Sequence, residues 1–387
     1  MTQRCIRKFL HLFEDFLAGV TFVFIKRHFD LLQAYRFNET SSYHKNGNLL
    51  RDCQEVSYSY PMTKISTVFT DTFHADYPII AGPMFLVSTE ELVSAVSEAG
   101  GVGGMPSLNW RTTDQFRQAV RNVKSRTKRS YAVNLIVNKA NPRQGSDLDV
   151  CAEEKVPLVI TSLGNPKNAI KKMHEVGCKV YCDVTNLEYA LKVQDQGADG
   201  VIAVSAGAGG HAGPISPLVL IPYLKNHLKI PVVAAGGIAT GEQMAAALLL
   251  GASAVQIGTR FIASTEAKVD VSYKNAILKS APEDIVMTNK ISGTPAAVIR
   301  TPYIDKVGLE LNPVEKFLMG HPQTKKYMKM IRSYIGAKAL EKAVGGTTWK
   351  EVWSAGQGVG LIDEIMPVKD IIEMLARGYH EALARMR

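Results

Sequence analysis

From Met62 onward the chain alternates short runs of Val, Ile and Ala with longer stretches in which apolar residues recur every three to four positions. The short runs are PIIAG (78–82), VGGM (102–105), YAVNLIV (131–137), PLVIT (157–161), KVYCDV (179–184), GVIAVSA (200–206), PVVAAGG (231–237) and AVQIGT (254–259). Each has the length of a strand and lacks the polar alternation of a sheet with one wet face. Both faces are therefore expected to be buried, as in a parallel sheet covered by helices. The intervening segments, among them TEELVSAVSEAG, NPKNAIKKMHEVG, NLEYALKVQDQG and TGEQMAAALLLGA, have polar caps in front and glycine behind, which marks helix starts and stops. Eight such units in succession predict an α/β protein of the (β/α)8 TIM barrel type. An open doubly wound sheet is the competing architecture. It needs a dinucleotide fingerprint in the first β-to-α turn, whereas the glycine-rich turns here follow strands six, seven and eight. In a barrel, the loops after the last strands form a phosphate site at the C-terminal rim, so late glycines fit.

Two regions break the alternation. Residues 285–350 are Lys- and Met-rich, with helical pattern and no strand of comparable strength, and are read as a helical insertion or subdomain over the barrel mouth. Residues 1–61 carry one apolar stretch, FLHLFEDFLAGVTFVFIKR (9–27), interrupted by Glu14 and Asp15, and the uncharged remainder is too short to span a bilayer. A polar tether, NETSSYHKNGNLLRD, follows it. Residues 1–61 are accordingly expected to be an N-terminal extension outside the native domain of residues 62–387, without stable membrane insertion.

Composition narrows the class. At 46% hydrophobic and 21% charged residues the chain is typical of soluble globular proteins. The net charge of +9 is modest and spread along the chain. The densest basic run, RNVKSRTKR (121–129), lies where a predicted helix ends, so it reads as a solvated face and no nucleic-acid partner is expected. Five cysteines form no disulfide framework and suit a reducing cytoplasm. Cys178 and Cys182 lie four apart in a strand-like run, and no metal site is predicted.

Candidate chemistry gathers in the late glycines. VIAVSAGAGGHAGPIS (201–216) runs a strand into four glycines around His211. Glycine at that density weakens a strand and is kept where φ must be positive or where a ligand approaches the backbone. Imidazole ionises near neutrality (~6.5) and can accept a proton from an acidic C–H or, once charged, hold an anion. Gly236 and Gly237 end strand seven, and Gly258 and Thr259 end strand eight. Each pair is expected to expose bare amides that cradle a phosphate dianion without a basic side chain. GAGGHAG also matches the loose dinucleotide fingerprint, but Pro214 and Pro217 follow it and no acidic residue stands about twenty positions on.

The segments GAGGHAG, AAGGIATGEQMAAALLLGASAVQIGTRFIASTE and FTDTFHADYPIIAGPM, with the closing VWSAGQGVGLID, resemble the nitronate monooxygenase family, formerly the 2-nitropropane dioxygenases. The resemblance covers Met62 to the end. It implies an FMN-dependent barrel that oxidises alkyl nitronates or nitroalkanes with dioxygen to carbonyl compounds and nitrite. It places the family's GGH motif on Gly209, Gly210 and the catalytic His211, and the phosphate glycines on Gly236 and Gly237. The Gln-x-Gly-Thr motif falls on Gln256, Gly258 and Thr259, the strand-three asparagine on Asn134, and the flavin-side backbone on Pro83 and Met84. Two departures stand out. Many members carry Gln-Gly and then Glu-Ala before GGH, where this chain has Val204, Ser205, Gly207 and Ala208; and Asp183 stands where some quinone-reducing relatives carry lysine. The alternatives are an NAD(P)H-dependent FMN reductase of quinones or enoyl thioesters, and a flavin-binding protein that has lost turnover. An IMP dehydrogenase-like enzyme needs a cysteine after strand six, which is absent. The expected partners are a small-molecule substrate and dioxygen; a homodimer is compatible with the sequence.

Overall fold

The computed structural model describes residues 63–138, 141–290, 295–310 and 352–386. The expectations for residues 1–61 and for 311–350 of the insertion lie outside them. Among the described residues no helix is long and apolar enough to cross a membrane.

Eight parallel strands close into a barrel in chain order: β1 (Ile79–Ala81), β2 (Val102–Pro106), β3 (Tyr131–Ile136), β4 (Leu158–Ser162), β5 (Lys179–Val184), β6 (Gly200–Val204), β7 (Val232–Ala235) and β8 (Ala254–Ile257). The ring closes because β8 pairs with β1, Gln256 beside Ile80. The strand-flanking helices are α1 (Val68–Phe73), α2 (Glu90–Glu98), α3 (Thr113–Arg126), α4 (Gln144–Glu153), α5 (Lys167–Glu175), α6 (Leu187–Asp195), α7 (Pro217–His227), α8 (Gly241–Leu249), α9 (Thr259–Ile262) and α10 (Val271–Lys279). Side chains alternate along each strand. One set, including Val133, Val159, Val180 and Val201, packs outward with the helices. The other fills the barrel with Ile80, Val102, Ala132, Leu158, Ile160, Tyr181, Ile202, Val233 and Ala254.

Helix α1 precedes the first strand and sends Phe69 and Phe73 into that interior, both edge-on to Tyr181 at ring distances of 6.3 and 5.7 Å. A capping box at Thr67 and Thr70 starts the helix. The last described helix, α12 (Val368–Arg385), packs on α8 and meets the segment before α1, with His380 Nε2 3.2 Å from Thr63 Oγ1.

The basic run 121–129 is a solvated face studded with ion pairs. Arg121 and Lys124 bond Glu154 at 2.7 and 3.0 Å, Arg126 meets Glu91 at 3.2 Å and Arg129 meets Asp76 at 2.6 Å. The first part of 285–350, read from sequence as helical with no strand of comparable strength, holds two short strands. Residues β9 (Ile285–Thr288) and β10 (Ala296–Ile299) pair antiparallel, followed by the short helix α11 (Pro302–Val307). These strands are only four residues each and take their place from a long-range contact with the β6 loop, which a local pattern does not carry.

Candidate functional site

The C-terminal ends of the strands, where barrel enzymes carry their chemistry, bring most of the sequence-predicted residues together. After β7 the backbone turns through Gly236 (φ 129°) and Gly237 (φ 70°), a sign of φ that L side chains rarely adopt. Space forbids a side chain at the first as well: a Cβ on Gly236 would lie 2.6 Å from Ser205 Oγ. The turn is fixed from behind. Thr240 and Gln243 form a capping box at the start of α8, and Gln243 Nε2 donates to Gly237 O at 2.9 Å. The first turn of α8 is itself spent on this cap, Gln243 N on Thr240 Oγ1, and Gly241 packs on α12 against Leu375 and Gly378, so an anion here would be met by the backbone of the glycine turn.

Beside this turn lies the loop after β6. Ser205 is fully buried and donates through Oγ to Ala235 O at 2.7 Å, tying the loop to β7. Gly207 follows, its Cα facing Gly237, and its carbonyl accepts from Gln357 N at 2.9 Å. The closing motif SAGQGVG thus enters the rim: Gly356 N donates to Thr259 Oγ1 at 3.0 Å, and a Cβ on Gly356 would lie 2.4 Å from Gly207 O and 2.8 Å from Gly209 N. Only a residue without a side chain lets these two loops touch. Tyr273 stacks on Trp353 at 5.7 Å and donates to Ser354 O at 2.5 Å, which holds the motif in place.

Gly210 then forms a bridge with the β9–β10 hairpin, donating to Ala297 O at 3.1 Å while its own carbonyl accepts from Ala297 N at 2.7 Å. His211 comes next. It is solvent-accessible at the rim, yet the protein mass around its ring disfavours the imidazolium and lowers its pKa below 6.5. Neutral imidazole is therefore the form it presents at neutral pH.

The β8–β1 side of the mouth carries Gln256, Gly258, Pro83 and Met84. Gln256 sits against Gly82, and its Oε1 is buried without a hydrogen-bond partner among the described residues. A Cβ on Gly258 would lie 3.6 Å from Met84 Sδ, and Met84 N is held by Ser88 Oγ at 3.0 Å. Gly258 has φ −106°, so its backbone demands no glycine, and Thr259 spends its hydroxyl on Gly356. Of the two expected amide pairs, the turn after β7 has the stronger structural requirement.

Asn134 stands apart on β3, with Nδ2 donating to Ile160 O at 3.1 Å and to Ser162 Oγ at 2.7 Å. Ser162 in turn donates to Asp183 Oδ2 at 2.5 Å, and Asp183 Oδ1 is buried with no partner among the described residues. Burial pushes the Asp183 carboxyl up to about 6, against the opposing hydrogen bond from Ser162. Ser162, Ala297, Gly356 and Gln357 were not among the candidates read from sequence. Glycine density around Gly356 was the available signal; the others are placed by barrel register.

The nitronate monooxygenase family model matches residues 66–147 and 141–378. A probable nitronate monooxygenase of Staphylococcus saprophyticus is 30% identical over 83% of this chain and 100% of its own length. A Mycobacterium tuberculosis protein named as an octahydro-indene-carboxyl-CoA dehydrogenase is 28% identical over 81% of the chain and 95% of its length. The structure of FabK from Thermotoga maritima superposes with a TM-score of 0.73 at 37% identity, covering 84% of this chain and 99% of that one. A nitroalkane oxidase of Streptomyces ansochromogenes does so with a TM-score of 0.69 at 26% identity, over 82% and 99%.

Proposed function

The chain belongs to the nitronate monooxygenase family of oxidoreductases, and from that premise we propose that it binds FMN and oxidises alkyl nitronates with dioxygen to carbonyl compounds and nitrite. The observation that carries this reading is the bare backbone at Gly236 and Gly237, positive in φ and closed to a Cβ at the first, beside the N-terminus of α8. Such a turn suits a phosphate dianion. The rest of the mouth fits the group too: Gln256 Oε1 is a buried acceptor awaiting a donor, and the carbonyl of Asn134 has no protein partner among the described residues.

In this reading Gly236 and Gly237 hold the phosphate, Gly209, Gly210, Gly258 and Thr259 shape the rim, and Pro83, Met84, Asn134 and Gln256 border the ring. Bound FMN would supply electron acceptance and the reaction with dioxygen. The protein supplies the proton chemistry. A neutral His211 accepts the α-proton of a nitroalkane or, with the other nitrogen protonated, donates a hydrogen bond to a nitronate oxygen. The hairpin contact at Ala297 fixes the backbone of Gly210, directly before His211.

A second reading, NAD(P)H-dependent reduction of a quinone or an enoyl thioester at the same FMN, is favoured by the relative named as a carboxyl-CoA dehydrogenase. Anaerobic NADH or NADPH bleaches the flavin of a reductase within the mixing time and leaves a monooxygenase yellow. The direct test is nitrite release from propyl-2-nitronate under air by the yellow protein. His211→Asn should keep the colour and lose roughly 10²-fold or more in turnover. Unchanged turnover in that variant would remove His211 from the chemistry.

A further inference from the structure

Beneath the mouth, three polar side chains on adjacent strands form one hydrogen-bonded column: Asn134 on β3, Ser162 on β4 and Asp183 on β5. All three occupy inward positions, since Asn134 is in register with Ile160 and Asp183 with Ile202, both of which fill the barrel. The direction of every hydrogen in the column is dictated by its two ends. The Ile160 carbonyl can only accept, so the Asn134 atom facing it at 3.1 Å is the amide nitrogen. That same nitrogen reaches Ser162 Oγ at 2.7 Å, so the serine accepts there and has its own hydrogen to give. It gives it to Asp183 Oδ2 at 2.5 Å, which as a carboxylate can only accept. Both amide hydrogens of Asn134 are thereby used, and its carbonyl is the one face left for a ligand.

We propose that Asp183 is a positioning residue for the bound flavin. Acting through Ser162 and Asn134, it makes the β3 side of the mouth accept an N–H from the ring's imide edge, and its charge opposes negative charge on that ring. The inference rests on the flavin reading above and adds to it the polarity of one wall. Aligned hydrogen bonds polarise one another, so a carboxylate at the far end strengthens the acceptor at the near end. No other charge competes at this spot among the described residues. The neighbours of Asp183 are Ser162 and Thr161 from β4, Ile202 from β6, and on its own strand Tyr181 and Cys182, which burial keeps protonated.

The experiment compares equilibrium binding of FMN and 3-methyl-FMN, which lacks the imide N–H, to the apo-protein. Wild type, Asp183→Asn and Ser162→Ala are each measured by flavin fluorescence quenching. Wild type should bind FMN about tenfold more tightly than the methylated analogue, the loss of one hydrogen bond to a charged network, and both variants should narrow that ratio to within about threefold. In the FMN complex, the imide proton of the ring, followed by the absorbance change on its ionisation, should come off at lower pH in Asp183→Asn than in wild type. Equal discrimination in wild type and variants, or an unmoved ionisation, overturns the role of Asp183 while leaving FMN binding intact. A wild-type protein that binds neither flavin overturns the underlying reading as well. Should Asp183→Asn fail to fold, Ser162→Ala alone decides, because it cuts the column at its middle.

Discussion

Alanine and asparagine at Gly356 and at Gly237 separate two physical reasons for a glycine at the same rim. Gly356 has ordinary extended backbone, φ −98° and ψ 170°, so a side chain there meets no conformational penalty and the whole cost is space. Its Cβ would lie 2.4 Å from Gly207 O, 2.8 Å from Gly209 N and 3.1 Å from the carbonyl carbon of Ala208, all of them backbone. To reach an ordinary contact of about 3.5 Å the two loops must part by about 1 Å. Overpacking of that kind costs about 1–3 kcal/mol, which is roughly 5- to 150-fold if it falls on the flavin-competent arrangement. Gly237 is the reverse case: φ is 70°, but the nearest atom to its Cβ would be Gly207 O at 3.9 Å. Alanine there costs about 1–2 kcal/mol of left-handed strain, and asparagine, which enters that region more readily, costs less. The orders should therefore cross. At position 237 asparagine should bind FMN more tightly and melt higher than alanine; at position 356 it should do worse on both counts. FMN titration and thermal melting of the four variants measure it. If asparagine ranks the same way against alanine at both sites, the division into shape and space is wrong.

Four further outcomes follow from single features. Ala297→Pro removes the N–H that reaches Gly210 O at 2.7 Å, and should cost about 1–3 kcal/mol and lower nitronate turnover more than FMN affinity, because it frees the backbone next to His211; equal loss in both, by single-turnover kinetics and titration, contradicts that. Phe69→Ala empties a fully buried site between Phe73 and Tyr181 and should lose about 3–5 kcal/mol in urea denaturation; a loss below about 1 kcal/mol means the barrel floor does not depend on α1. Asp183 ionises near 6 in the fold and near 3.9 in an unfolded chain. The native state thus holds this proton more tightly, stability is lost as pH rises from about 4 through 6, and the loss is at most about 3 kcal/mol. Asp183→Asn should lack that slope in denaturation at pH 4.5 and pH 8. Finally, the lowered pKa of His211 predicts an acid limb in kcat/KM with its midpoint below 6.5, absent from the residual activity of His211→Asn.

The eight strands were legible because a parallel barrel strand is buried on both faces and therefore appears as an unbroken apolar word, as in YAVNLIV and PVVAAGG. The glycine turn after β7 was legible for a related reason: backbone that must bend the wrong way has few residues to choose from. What stayed hidden depends on register. Asn134, Ser162 and Asp183 are far apart in sequence and meet only because β3, β4 and β5 align as they do. The hairpin was hidden too: IVMT and AAVI are as long as VVAA of β7, but they stand outside the repeating strand-and-helix units and meet the barrel through a long-range bridge to Gly210. Gly356 lies at the other end of the chain from the loop it touches, so its glycine density announced a close approach without naming the partner.

The meeting of Thr63 with His380 has a use in protein engineering. In a chain shortened so that it starts at Thr63, a linker of a few residues could join that end to the last turns of α12 near His380, and the barrel could be opened elsewhere. The exposed turn at Leu163–Asn165, between β4 and α5, is a suitable place to cut. A permutant of that kind would carry new ends beside the strand of Ser162, and a reporter peptide or fluorophore grafted there would sit next to the polar wall.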